Sequence, residues 1–99
     1  MIKQLNKKDN FNEIISSGNI LVDFYADWCG PCQIFSSTIE NIKFIEVLKV
    51  NVDDYPNIAK EYGVMSIPTS IFFKDGIMFS RKIGIQTEEE IKNEIEKMK

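Results

Sequence analysis

The sequence contains no histidine and only two cysteines, three prolines and one tryptophan among its 99 residues. Without histidine, the commonest general base and metal ligand is missing, so any chemistry must use other side chains. No apolar run of about 18 residues could cross a membrane, and no basic start leads into an apolar stretch of the kind that directs secretion. The formal net charge is −3, which argues against nucleic acid as a partner. We therefore expect neither membrane insertion nor nucleic-acid binding.

The length and composition are those of one globular domain over residues 1–99. The chain is 43% hydrophobic and 27% charged, which argues against disorder. Its length leaves no room for a second core. Apolar runs predict strands at 2–5, 20–25, 44–52, 69–73 and 77–83, and helical spacing predicts helices at about 9–17, from about 31, at 57–62 and from 87.

The order βαβαβαββα predicts an α/β fold with a mixed five-stranded sheet and helices on both of its faces. Strands separated by helices are expected to be parallel, and the last two form an antiparallel hairpin. Asp9 and Thr87 are the expected N-caps of the first and last helices. The second helix has apolar residues at helical spacing, namely Ile34, Phe35, Ile39 and Ile42.

The two cysteines, Cys29 and Cys32, lie between a predicted buried strand and a predicted helix. A disulfide across so short a loop removes little entropy from the unfolded chain, so it is a poor structural staple. Half of a zinc site would need further Cys or His ligands, which the chain lacks, and we expect no metal. Apart from an incidental pair of core cysteines, the remaining interpretation is a redox-active pair.

The start of a helix favours a thiolate at Cys29, because free N–H groups and the positive end of the helix dipole face the first turn. We therefore predict that Cys29 is the more exposed thiol and the nucleophile, since the thiolate is the attacking species in disulfide exchange. Cys32 should be more buried and should resolve the mixed disulfide. Pro31 suits the first helical turn, and Gly30 allows another chain to approach closely.

Asp23 is unexpected in a strand whose other residues are nearly all apolar. If its carboxyl is buried, its pKa rises and it can accept the proton of Cys32; alternatively it points into solvent at the strand end. Lys49, in the neighbouring predicted strand, either lies near Asp23 or is simply solvated. Trp28 either packs inside the protein or, as its place beside Cys29 favours, faces substrates.

Pro68 stands in Ser66-Ile67-Pro68-Thr69, just before the fourth predicted strand. Proline cannot occupy the interior of a central strand, so Pro68 belongs at a strand start or in a tight turn. Because only about 5–6% of X–Pro bonds in folded proteins are cis, the residues alone predict a trans bond. Gly84 is interpreted as an ordinary end of the last hairpin strand.

Together these motifs resemble the thioredoxin family. Residues 22–32, with Trp-Cys-Gly-Pro-Cys at their end, are similar to its active-site signature, and later landmarks follow in order at 49–53, 66–69, 73–76 and 84. The resemblance covers essentially the whole chain. It implies the thioredoxin fold, a cis Pro68 that faces the cysteines, and an apolar substrate groove bordered by Trp28, Ile67 and Gly84.

The same resemblance implies a function. The chain is expected to be a cytoplasmic, monomeric protein thiol–disulfide oxidoreductase with a redox-active disulfide, Cys29–Cys32, and no bound cofactor. Family members reduce client disulfides, use the counterpart of Asp23 as proton acceptor, and are re-reduced by a thioredoxin reductase with electrons from NADPH. Two alternatives stay open: a protein dedicated to one client, and a non-catalytic assembly subunit.

The chain also departs from the family pattern in four places. Tyr25 stands where many members have tryptophan, Gln33 replaces a basic residue, and Ser37 replaces a helix-kinking proline. The segment between Cys32 and the third predicted strand is shorter than usual. These departures bear on partner choice and redox poise rather than on the exchange reaction itself.

Overall fold

The computed structural model describes residues 1–99 and contains one five-stranded sheet. The strands are β1 (Ile2–Gln4), β2 (Asn19–Tyr25), β3 (Glu46–Asn51), β4 (Thr69–Lys74) and β5 (Ile77–Ile83), and the helices are α1 (Phe11–Ile14), α2 (Gly30–Glu40), α3 (Pro56–Glu61) and α4 (Glu88–Lys97). This is the predicted order of elements, so the predicted α/β fold with a mixed sheet is confirmed. None of the four helices has the length and apolar character needed to cross a membrane.

The strands lie in the order β1-β3-β2-β4-β5. β3 pairs in parallel with both β1 and β2, whereas β4 pairs antiparallel with β2 and with β5. The expectation that every pair of strands separated by a helix is parallel is therefore wrong for β4. The connection from β3 to β4 contains only the six-residue helix α3, about 9 Å long, and it does not return the chain along β3. β4 consequently starts at the edge where β2 and β3 end.

Successive side chains along a strand point to opposite faces of the sheet, so each face carries its own hydrophobic core. On one face, residues of β2 such as Val22 and Phe24 pack with Phe11 and Ile15, from α1 and its C-cap, and with Ala59 of α3. On the other face, Leu21 and Val47 pack with α2 and α4 through Phe35, Ile39, Ile91 and Ile95. The predicted helices on both faces are thus confirmed.

Two local predictions are wrong, the N-cap Asp9 and the strand start at Phe44, and one apolar residue of the α2 pattern is not buried. Asn10, not Asp9, caps α1, because the side-chain oxygen of Asn10 accepts a hydrogen bond from the Glu13 N–H at 3.1 Å. Ile34 is exposed, since it lies about 100° around α2 from the buried Phe35. Phe44 precedes β3 rather than starting it. The cap of α4 is as predicted, with a capping box between Thr87 and Glu90.

Candidate active site

Three strand termini meet at one edge of the sheet. β2 and β3 end there, and β4 begins there, as the register partners Phe24–Val50 and Phe24–Thr69 show. The segments just beyond these termini therefore come together although they are far apart in sequence. They carry the two cysteines after β2, Asp53 after β3, and Ile67-Pro68 before β4.

The cysteine pair lies at the start of α2. Cys29 is the N-cap residue, and its Sγ accepts a hydrogen bond from the Cys32 N–H at 3.2 Å. The two residues form a disulfide with a Cα–Cα distance of 5.2 Å. The prediction that Cys29 is the more exposed of the two is wrong, because both are 4% exposed. They pack as one apolar cluster against Ala26 and Ile67, so neither residue is covered less than the other.

Pro68 follows a cis peptide bond, so the trans bond predicted from the residues alone is wrong and the cis bond implied by the family resemblance is confirmed. The carbonyl oxygen of Ile67 lies 3.8 Å from Cys29 Sγ, which places this turn against the disulfide. Two hydrogen bonds hold the turn. Thr69 Oγ1 donates to the Ser66 carbonyl at 2.6 Å, and the Gly84 N–H donates to the Pro68 carbonyl at 2.8 Å.

Trp28 is 71% exposed, so it does not pack inside the protein. Its indole Nε1 donates a hydrogen bond to Asp53 Oδ2 at 2.9 Å, which fixes the ring above the start of α2. Beside it lies an apolar depression lined by Val52, Val64, Met65, Ser66 and Ile67. Neither Met65 nor Asp53 stands out as a site residue in the sequence, because each belongs to an irregular segment without hydrophobic periodicity.

Asp23 is buried, with 1% of its surface exposed, so the alternative of a solvent-facing strand end is wrong. Its Oδ1 atom has no hydrogen-bond partner. Burial raises the pKa of this carboxyl to about 7, against the opposing effect of the Lys49 charge. The predicted rise in the pKa of Asp23 is therefore confirmed, and the group can change its charge near neutral pH.

Lys49 is the register partner of Asp23 on β3. Its Nζ donates to Ser36 Oγ at 3.0 Å and lies 4.5 Å from the centroid of the Tyr25 ring, so it is not a freely solvated lysine. Behind the disulfide is a cavity of about 170 Å³ lined by Tyr25, Ala26, Asp27, Cys32, Gln33, Ser36 and Lys49. Cys32 and Lys49 therefore border the same cavity.

The site offers a disulfide and one buried ionisable carboxyl rather than metal ligands. No cluster of three or more His, Cys, Asp or Glu side chains could hold a metal ion. A disulfide at the start of a helix, with an ionisable carboxyl deeper in the sheet, can exchange two electrons and two protons with another dithiol. Thiol–disulfide exchange is thus the chemistry that these residues can perform.

Comparison with known proteins also indicates thiol–disulfide exchange. The family model described as thioredoxin matches residues 2–97. Thioredoxin of Chlamydia pneumoniae is 40% identical over 101 residues, with 98% of each chain covered, and thioredoxin of Staphylococcus saprophyticus is 42% identical over 93 residues, with 89% of each chain covered. A solved mutant thioredoxin from Halobacterium salinarum superposes with a TM-score of 0.88 at 33% identity, covering 97% of this chain and 88% of that one.

The fold, the cysteine pair and the relatives agree on one activity. The chain is a thiol–disulfide oxidoreductase that acts as a protein-disulfide reductase, with Cys29 and Cys32 as its redox-active pair. Because the family model spans nearly the whole chain and curated relatives are about 40% identical over most of it, the chain belongs to the thioredoxin family.

Proposed function

We propose that Cys29 is the nucleophile and Cys32 the resolving thiol of this reductase. The observation that carries the assignment is the hydrogen bond from the Cys32 N–H to Cys29 Sγ at the N-cap of α2. In the reduced protein the same N–H and the helix dipole stabilise a thiolate on Cys29. No comparable donor is directed at Cys32, whose sulfur lies one turn into the helix.

The proposed reaction conserves electrons and protons in two exchanges. The Cys29 thiolate attacks one sulfur of a client disulfide, forms a mixed disulfide, and releases the other client sulfur as a thiolate that takes up a proton. Cys32 then loses its proton to Asp23 and attacks Cys29 Sγ, and the second client sulfur leaves as a thiolate that takes up the proton from Asp23. The client disulfide is reduced, and Cys29 and Cys32 are oxidised to their disulfide.

We assign the substrate surface to the residues around the sulfur of Cys29. Trp28 supplies an exposed aromatic face, the Ile67-Pro68 turn lies against Cys29, and Gly84 supports this turn through its hydrogen bond. Gly30 and Pro31 complete the rim, and a Cβ atom at Gly30 would meet nothing within 4 Å, so the backbone there is open to another chain.

The finer assignments are also proposals, supported by family membership. Electrons come from NADPH through a separate thioredoxin reductase, the clients are disulfide-containing proteins, and the protein works as a cytoplasmic monomer. We further propose that residues 1–99 fold as one unit, because the elements from both ends join the same sheet and its two cores. No residue of this site is assigned to a nucleic acid or a membrane.

Reduction of insulin by dithiothreitol in the presence of catalytic amounts of the protein tests the proposed activity. We expect accelerated precipitation of the insulin chains, and then the same reaction with NADPH and a bacterial thioredoxin reductase in place of dithiothreitol. Several unrelated protein disulfides should be reduced at comparable rates; reduction of one alone would indicate a dedicated client. Partner binding retained by the Cys29→Ser, Cys32→Ser double variant, without any insulin reduction by the wild type, would indicate an assembly subunit instead.

Replacement of Trp28 by alanine should weaken the binding of protein clients. We expect KM for a protein disulfide to rise about 10-fold, because a loss of about 1.4 kcal/mol of apolar contact changes an affinity tenfold. The free energy of unfolding should change by less than about 1 kcal/mol, since the ring is mostly exposed.

Ile77→Ala is the matched control for this variant. Ile77 is an equally exposed apolar residue, but it pairs with Lys74, which pairs with Asn19 at the opposite end of the sheet. Insulin-reduction kinetics of the two variants provide the measurement. An equal rise in KM for both variants would contradict a specific role for Trp28.

A further inference from the structure

Asp23 and Lys49 do not form the ion pair that their positions would suggest. They are register partners on neighbouring parallel strands, so their side chains leave the same face of the sheet. That face is the one covered by α2 and α4, because Leu21 and Val47, two residues before Asp23 and Lys49, pack there. Yet none of the ion pairs of the protein includes either residue. The Lys49 ammonium is therefore held by groups other than the Asp23 carboxyl.

Two neighbouring groups hold it. Ser36, in the second turn of α2, accepts a hydrogen bond from Lys49 Nζ at 3.0 Å. Tyr25, at the end of β2, presents its ring 4.5 Å from the same nitrogen, and the ring face attracts a cation. Both groups line the cavity that reaches Cys32. The ammonium is thus directed toward the cavity at the resolving cysteine.

We propose that Ser36 and Tyr25 are positioning residues, which hold the Lys49 ammonium at the Cys32 cavity and out of an ion pair with Asp23, and thereby set the pH range in which Asp23 accepts the proton of Cys32. The effect on proton transfer from Cys32 to Asp23 rests on the proposed function. The placement of the Lys49 ammonium rests only on its contacts with Ser36 and Tyr25.

Of the charged groups on this face of the sheet, Lys49 is the cation that acts on the charge state of Asp23. On β4, the register partner of Asp23 is the uncharged Ser70, whose Oγ accepts a hydrogen bond from Gln86 Nε2 at 2.9 Å. On β5, the register partner of Ser70 is Lys82, which forms an ion pair with Glu94 of α4 at 3.5 Å.

Two acidic groups lie near the end of β2 on the side of the cysteines. Burial raises the pKa of Tyr25, so this hydroxyl is uncharged at neutral pH, and Asp27 acts on it from the following loop. From α2, Cys32 lines this cavity, and in the disulfide form it carries no charge. None of these groups adds a second positive charge next to Asp23, so a release of Lys49 would change the field at Asp23 directly.

Ser36→Ala is the decisive variant. It removes the hydroxyl that holds Lys49 but keeps a residue that favours helix. Once released, the ammonium can approach Asp23, and an opposite charge within about 4–6 Å lowers a carboxyl pKa by about 1–3. We expect the titration midpoint of Asp23, followed by carbon-13 NMR of its carboxyl in the oxidised protein, to fall by about 1 pH unit. Tyr25→Leu should lower it as well.

Two controls separate this effect from a general disturbance of the helix. Ser37→Ala changes the next residue of α2, whose side chain is exposed and does not touch Lys49, and it should leave the midpoint where it is. In a Lys49→Met background, Ser36→Ala should produce no further shift, because the charge through which Ser36 acts is gone. Stopped-flow resolution of a mixed disulfide on Cys29 should show the same displacement of its pH profile.

An unchanged midpoint in a folded Ser36→Ala variant, or an equal shift in the Lys49→Met background, would overturn the proposal. If Tyr25→Leu fails to fold, the Ser36 variant decides alone. Failure of the proposed function is a separate result, because it would appear as a wild-type protein that does not reduce insulin, whatever the Asp23 titration shows.

Discussion

Replacing Cys29 by serine is expected to lower insulin reduction to the rate of dithiothreitol alone, because a serine hydroxyl cannot attack a disulfide at neutral pH. Cys32→Ser should behave differently. It retains the attacking thiolate but lacks the resolving thiol, so mixed disulfides with clients should accumulate on Cys29. Mass spectrometry of the trapped species identifies the linked cysteine.

The two serine variants control for each other. Each removes the same disulfide, whose short loop contributes little to stability, so both should unfold at similar temperatures. Clients trapped through Cys32 in the Cys29→Ser variant, together with none trapped in the reverse variant, would show that the assigned roles are exchanged.

Asp23→Asn is expected to slow resolution of the Cys29 mixed disulfide by about 100-fold, the lower end of the range that general base catalysis contributes. The first attack should change much less, because the Cys29 thiolate is stabilised by the helix start rather than by Asp23. Stopped-flow measurements on a preformed mixed disulfide separate the two steps. Equal rates and equal pH profiles for the variant and the wild type would make Asp23 a structural residue.

The same variant should change how stability depends on pH. An aspartate with a pKa near 7 in the folded state and 3.8 in the unfolded state holds its proton only when folded between these values. The folded state therefore binds more protons at Asp23 there, and the contribution of Asp23 to the stability of the wild type falls as pH rises, by about 4 kcal/mol in all. The asparagine side chain of the variant does not titrate, so the stability advantage of the variant should grow from pH 4 to 7 and stay constant above.

Urea unfolding of both oxidised proteins at several pH values measures this difference, since the cysteines do not titrate in the disulfide form. Other ionisable groups contribute equally to both proteins and cancel. Parallel stability curves between pH 4 and 7 would contradict the raised pKa of Asp23 and with it the argument for a proton acceptor.

Local features of the chain were predictable because interactions between residues close in the sequence produce them. The nearly continuous apolar run from 20 to 25 is typical of a buried strand, and the capping box at Thr87 and Glu90 marks a helix start wherever it occurs. The burial of Asp23 was also favoured by the sequence, because its strand neighbours are apolar on both sides. Predictions failed where two local signals competed, as at Asp9 and Asn10, both of which are good N-caps.

The sequence by itself determined the redox-active cysteine pair at a helix start and the carboxylate within a buried strand that we propose as its proton acceptor. The tertiary structure alone decided their surroundings. It brought Pro68, Gly84 and Asp53 to the cysteines, because β4 starts at the edge where β2 and β3 end. It also turned the Lys49 ammonium from Asp23 toward Ser36 and Tyr25. Such contacts depend on register and crossing direction between strands, which residue spacing along one chain does not encode.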